Sequence, residues 1–148
     1  MFKGRYLHTL DAKGRLSVPS RFREVLAQHR EETLILTNFG TCLAGFPADE
    51  WELFEEKIRG LSMLQKDVSA FTRYFFSGAQ ECPVDKQGRI LIPPTLREDA
   101  CLEKDVVLAG VYNRIEVWSK SRWDRYHGEL TENANFEAMA AKLSEFGL

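Results

Sequence analysis

Asp11-Ala12-Lys13-Gly14-Arg15-Leu16-Ser17-Val18-Pro19-Ser20-Arg21-Phe22-Arg23-Glu24 returns 74 residues later as Asp85-Lys86-Gln87-Gly88-Arg89-Ile90-Leu91-Ile92-Pro93-Pro94-Thr95-Leu96-Arg97-Glu98. Six of the fourteen positions are identical, and three more are apolar in both copies. Upstream, Phe2 and Gly4 match Phe76 and Gly78 at the same offset. Downstream, Leu34-Ile35-Leu36 matches Val106-Val107-Leu108, and Phe46 and Trp51 match Trp118 and Trp123, at an offset of 72. A repeat of this length means that one supersecondary unit occurs twice. We divide the chain at 1–78 and 79–148, each half a β-rich module with a helical extension.

The repeated stretch has a readable local form. Asp-x-x-Gly fits a type I turn, with Asp11 and Asp85 bonding backbone two residues on and Gly14 and Gly88 free to take φ > 0. Strand-like residues flank the turn, so each copy is expected to form a hairpin. Pro19 and Pro93 end the strand and open a helix, near Ser20–Gln28 in the first copy. Two more strands follow at Thr33–Thr37 and Cys42–Phe46, with counterparts at Val106–Ala109 and Arg114–Trp118. Each copy closes in helices: one opening at Pro47, with Trp51, Leu53, Phe54 and Ile58 on its apolar stripe, and Ser62–Phe76 in the first copy; Ser119–His127 and Thr131–Phe146 in the second.

Composition restricts the function. The chain has 148 residues, is 44% hydrophobic and carries a net charge of −2. A module of half this length buries too little surface to stand well alone, so the two are expected to pack together or to oligomerise. No apolar run reaches the ~20 residues of a membrane span, and Met1–Thr9 lacks the apolar stretch of a secretory signal. Cys42, Cys82 and Cys101 are too scattered for a disulfide framework or a metal site, so a reducing cytoplasm is expected. His8, His29 and His127 have no metal or triad spacing, and no nucleotide-binding or nucleophile motif is present. No catalytic residue, metal ligand or cofactor is assigned.

Charge is segregated along the chain. Residues 1–30 hold seven basic residues against two acidic ones, and residues 31–60 hold two against seven. Lys13 and Arg15 lie at the first turn, with Arg5, Arg21 and Arg23 on nearby elements. Lys86, Arg89 and Arg97 are the basic groups of the second copy. Spacing alone leaves two roles for Arg15 and Arg89. They can pair with Asp11 and Asp85 as a staple across the turn, or they can meet phosphates and guanine edges. A staple does not need the surplus of basic residues around the first copy. Glu81, Asp85, Glu98 and Asp99 surround the second, so the first copy is expected to carry most of any DNA affinity.

The pattern Asp-x-x-Gly-Arg-(apolar)-x-(apolar)-Pro-x-x-(apolar)-Arg-Glu resembles the core of the AbrB-like swapped-hairpin DNA-binding fold. Two copies in one chain, with Met1-Phe2-Lys3-Gly4 at the start and helices after each copy, resemble the MraZ family of bacterial transcriptional regulators. The resemblance covers essentially the whole chain. It implies an α+β fold: a pseudo-two-fold, double-ψ, swapped-hairpin β-barrel built by the two copies, each followed by helices. It also implies a ring-forming homo-oligomer, octamers included, that binds direct repeats in double-stranded promoter DNA of its own division and cell-wall operon. The expected role is a repressor in the cytoplasm, at the nucleoid. Arg15, Arg89, Arg23 and Arg97 fall on DNA-contacting positions of the resemblance. A further basic position of AbrB-like proteins is His8 here and Cys82 in the second copy. The rival readings are an AbrB-like antitoxin and an oligomeric scaffold that binds no DNA.

Overall fold

The computed structural model describes residues 1–148. The chain is a mixed α+β protein with an antiparallel sheet and six helices. The first copy runs β1 (Phe2–Thr9), β2 (Arg15–Ser17), α1 (Ser20–Leu26), β3 (Thr33–Phe39), β4 (Cys42–Pro47), α2 (Ala48–Arg59) and α3 (Lys66–Ser77). The second runs β5 (Gln80–Pro83), β6 (Arg89–Leu91), α4 (Pro94–Asp99), β7 (Asp105–Tyr112), β8 (Arg114–Ser119), α5 (Lys120–Leu130) and α6 (Asn133–Ser144).

Strands pair across the repeat rather than only within it. The six-stranded sheet has the order β1-β7-β8-β4-β3-β5, so the first strand of each copy lies on the third strand of the other. The remaining strands, β2 and β6, form a separate antiparallel ribbon. In that ribbon Leu16 lies opposite Ile90, its own repeat equivalent. In the large sheet Ala44 lies opposite Glu116, again its equivalent. These two self-pairs mark a pseudo-two-fold axis relating the copies.

This exchange corrects the expected hairpins. Between β1 and β2 backbone bonding is confined to the turn, where the Asp11 N–H donates to the Arg15 carbonyl at 3.1 Å and the Gly14 N–H to the Asp11 carbonyl at 3.0 Å. Beyond it β1 pairs with β7 and β2 with β6. The physical reason is burial. Leu16, Val18, Ile90 and Ile92 must face one core, and an antiparallel ribbon across the axis puts all four there together.

That core holds 18 buried residues between the inner face of the sheet and the ribbon, α1 and α4. Alternation fixes who faces it. Leu34, Leu36, Leu43, Val106, Leu108, Ile115 and Val117 point inward. Ile35, Ala44, Phe46, Val107 and Trp118 point outward into two smaller clusters under the helices. Phe22 of α1 meets Phe2 and Tyr6 edge-on, at ring separations of 5.8 and 5.1 Å.

The match of Phe2 and Gly4 with Phe76 and Gly78 does not extend to structure. Phe2–Arg5 continue β1, whereas Phe76 and Ser77 end α3. Strand β1 has β7 to pair with along its whole length, while β5 pairs with β3 only from Gln80. Helix ends also differ: α3 starts at Lys66 rather than Ser62, and α6 covers Asn133–Ser144.

Candidate nucleic-acid interface

Each Asp-x-x-Gly turn is stabilised from within. The Gly14 N–H donates to the Asp11 carbonyl (3.0 Å), and Asp11 Oδ1 accepts from the Lys13 and Arg15 N–H groups (3.0 and 2.8 Å). The second turn repeats this, with Gly88 donating to Asp85 (3.0 Å) and Asp85 Oδ1 accepting from Gln87 and Arg89 (2.8 and 2.9 Å). Arg15 Nε donates to Asp11 Oδ2 at 2.6 Å, and Arg89 Nε to Asp85 Oδ2 at 3.4 Å. The staple therefore exists in both copies. It uses Nε alone, and the terminal guanidinium nitrogens of both arginines make no hydrogen bond. Asp11 is held at about 2, chiefly by the Arg15 backbone N–H that its carboxylate accepts. Asp85 is lowered for the same reason.

The two turns are laced across the axis. The Val18 N–H donates to the Gly88 carbonyl and the Ile92 N–H to the Gly14 carbonyl, each at 2.9 Å. These bonds lengthen the ribbon to Gly14–Val18 against Gly88–Ile92. Arg23 Nε donates to the Val18 carbonyl (3.1 Å) and Arg97 Nε to the Ile92 carbonyl (3.0 Å). Each guanidinium thereby lies over the glycine of the other copy's turn: Arg97 over Gly14 and Arg23 over Gly88. Both glycines have positive φ, +88° and +77°.

The ribbon has one apolar face and one wet face. Leu16 and Ile90 point into the core, while Arg15, Ser17, Arg89 and Leu91 point out. Arg15 lies opposite Leu91, and Arg89 opposite Ser17. The two arginines are thus diagonal neighbours, about 7–8 Å apart along the outer face. Lys13 and Lys86 stand exposed in the turns at the two ends.

The structure thus brings together Lys13, Arg15, Arg23, Lys86, Arg89 and Arg97. It leaves two of the expected residues elsewhere. Arg5, mid-strand in β1, lies over the Trp123 ring at 5.4 Å. Arg21 lines a groove beside Lys3, Gly4 and Tyr6. His8 is half-buried and Cys82 buried, where burial pushes the Cys82 thiol to about 11. Burial likewise holds the Cys42 thiol at about 12. Neither thiol is a nucleophile at neutral pH.

Strand exchange also redistributes charge. Helix α4, with Glu98 and Asp99, follows Arg97 to the side of the first turn, while α1 and Glu24 follow Arg23 to the second. Counting acidic residues by copy therefore misplaces them. A difference remains, from residues the sequence reading did not include. The Leu10 N–H donates to the Lys104 carbonyl (2.8 Å), and the equivalent Val84 N–H donates to the Glu32 carbonyl (3.0 Å). Lys104 flanks the first turn, and Glu32 takes its place at the second. The 72-residue offset aligns positions 32 and 104, so this signal was present in the repeat.

A duplicated chain whose halves exchange strands and jointly present one basic β-ribbon is a tandem-module protein, with its candidate site on the internal two-fold. The family described as "MraZ protein, putative antitoxin-like" matches it twice, at residues 1–74 and 75–146. The chain belongs to the MraZ family. It is 49% identical to "Transcriptional regulator MraZ" of Acetivibrio thermocellus over the full length of both chains. It is 53% identical to the protein of that name from Desulfitobacterium hafniense (strain DCB-2), again over both full lengths. A third, from Syntrophobacter fumaroxidans, is 53% identical over 84% of this chain and 83% of its own. These relatives carry the name of a regulator, not of an enzyme.

Proposed function

We propose that this chain is a sequence-specific, DNA-binding transcriptional regulator, acting as a repressor of its own division and cell-wall operon at promoter direct repeats. The observation that carries the reading is the outer face of the β2–β6 ribbon, where Arg15 and Arg89 stand diagonally with their terminal nitrogens free. A two-stranded ribbon fits the major groove of B-DNA, and an arginine presenting two terminal donors can bond guanine O6 and N7. Lys13 and Lys86 at the ribbon ends, with Arg23 and Arg97 over the turns, meet flanking phosphates. Arg21 stands further out on α1, and Arg5 is committed to Trp123.

Strand exchange about a pseudo-two-fold supports reading the fold as an AbrB-like swapped-hairpin barrel, made by modules 1–78 and 79–148 of one chain. The exposed apolar residues of the helical extensions support a ring-forming homo-oligomer, with the octamer favoured. Phe136, Leu143 and Phe146 lie in or beside α6, and Leu61, Met63 and Leu64 between α2 and α3. A ring lets a chain of net charge −2 sum modest basic faces over repeated sites. Its place is the cytoplasm, at the nucleoid. No helix is long and apolar enough to cross a membrane.

The test is a mobility shift on the DNA upstream of the protein's own gene, repeated with Arg15→Ala. A shift that the variant loses supports the reading. A shift unchanged by Arg15→Ala removes the site, and no shift at all favours the oligomeric scaffold that binds no DNA.

A further inference from the structure

The two copies bury their outer aromatic clusters unequally. In the first copy Ile35 and Phe46 lie on the outer sheet face, and Trp51 and Phe54 of α2 pack over them. Helix α3 covers them: Phe75 stacks on Trp51 at 5.1 Å and meets Phe54 at 4.9 Å, and Phe71 meets Phe54 at 6.3 Å. Trp51 is left only 8% exposed. The 72-residue offset maps this set onto Val107, Trp118, Trp123 and Tyr126. Trp118 and Tyr126 stack at 4.9 Å, so the lower layer is reproduced. The cover is not. Tyr126 is 43% exposed and Trp123 half-buried, its ring flanked by the Arg5 guanidinium and by Tyr126 and His127 of its own helix.

Helix α6 is the missing cover displaced. Six residues, 60–65, join α2 to α3, so Phe71 comes five residues into its helix. Only Thr131 and Glu132 join α5 to α6. Leu143, the repeat equivalent of Phe71, therefore comes ten residues into its helix, about 7–8 Å further from the helix start at 1.5 Å per residue. Every α6 residue is exposed except Met139, which is half-buried. Phe136 and Leu143, seven positions apart, share one helix face and are 59% and 48% exposed. Residues 129–148 hold Glu129, Glu132, Glu137 and Glu145 against Lys142, while the first turns of α5 carry Lys120, Arg122 and Arg125 against Asp124, and Arg5 lies over Trp123.

We infer that α6 of one copy of this chain docks on the Trp118–Trp123–Tyr126 surface of a second copy, supplying in trans the cover that α3 gives in cis. The first module is the template for the occupant: the same sheet face, with the same kind of aromatic layer, carries an aromatic helix from the equivalent place in the repeat. Opposite charge on the helix and on the rim of the cluster favours the contact. Such a helix exchange generates closed rings when the rotation closes. The inference rests on the assembly proposed above and names its contact.

The test uses two differently tagged full-length chains, co-expressed, both carrying Cys101→Ser. One carries Tyr126→Cys and the other Leu143→Cys, the pair equivalent to Phe54 and Phe71. Mild oxidation is expected to join the two tags by a disulfide in most assembled molecules. In a separate chain, Leu143→Asp is expected to weaken self-association at least tenfold by sedimentation, with an unchanged circular dichroism spectrum. An assembly of full mass that forms no 126–143 cross-link overturns the inference and leaves oligomerisation standing. A cross-link of Tyr126→Cys to Leu64→Cys instead would assign the surface to the α2–α3 turn and overturn it too. A native chain that sediments as a monomer overturns both this contact and the ring.

Discussion

Arg97 of the second copy lies over Gly14 of the first, so close that a β-carbon on Gly14 would stand 2.7 Å from its Cζ and Nε. The Ile92 carbonyl would lie 3.0 Å from the same carbon. Glycine is thus required twice over, by its φ of +88° and by the seat it leaves for the guanidinium. Gly14→Ala is expected to destabilise the fold by at least about 1–2 kcal/mol, the conformational cost alone. Urea unfolding measures it. Arg97→Ala in the same chain should return part of the loss, since it removes the collision but not the strain. Additive losses would show that the packing between them is irrelevant.

Arg15 carries both a staple and a proposed DNA contact, and the two separate by magnitude. The ion pair with Asp11 is exposed, and such pairs contribute about 0–1 kcal/mol. Arg15→Ala should therefore lower stability by less than about 1 kcal/mol, while operator affinity falls about tenfold or more, as expected for a lost bidentate base contact of ~1–3 kcal/mol. Denaturation and a mobility shift on the same preparation decide it. A large stability loss with unchanged affinity would leave only the staple.

The two ends of the ribbon should not be equal. Lys104 flanks the first turn where Glu32 flanks the second. Arg15→Ala is expected to weaken DNA binding more than Arg89→Ala, and Glu32→Lys to narrow the gap between them. Equal losses from both arginine variants, measured by fluorescence anisotropy, would end the asymmetry.

Phosphate contact predicts a salt dependence. Each neutralised phosphate adds about −0.9 to the slope of log affinity against log salt. Lys13→Ala should make the slope shallower by roughly one unit per lost contact, with operator preference retained. A slope the variant does not change would take Lys13 off the DNA.

Asp11, at about 2 against 3.8 for the free side chain, makes one pH prediction. A carboxylate whose folded pKa is depressed stabilises the fold fully above its unfolded value and loses that contribution as pH falls through the folded one. Unfolding followed between pH 4 and 2 should show a smaller loss of stability in Asp11→Asn than in the native chain. Identical pH profiles would show that Asp11 contributes no such linkage.

Much of the plan was legible in the sequence because turn chemistry is local. Asp11 and Gly14 write a turn that four residues can specify, and Asp85 and Gly88 write it again. In Arg114-Ile115-Glu116-Val117, polar and apolar residues alternate as a half-buried strand requires, which is equally local. What could not be read was which strand each one meets. Tyr6–Leu10 and Arg15–Val18 look like a hairpin from inside one copy, because their partners lie about 70–100 residues away in the other. The ends of α3 and α6 could not be read either, since propensity alone does not fix the terminal turns of a helix.

Sequence alone therefore determined the duplication, the two turns, the alternating core positions and the family. Each depends on residues close in the chain or on a repeat that can be counted. Tertiary structure decided that the turns sit on one ribbon, that Arg97 and Arg23 lie over each other's copies, and that Arg5 stacks on Trp123 instead of joining them. The reason is the exchange about the Leu16–Ile90 axis. Burying both apolar strand faces in one core sends β1 and β2 of the first copy to β7 and β6 of the second, and the charges travel with the backbone that carries them.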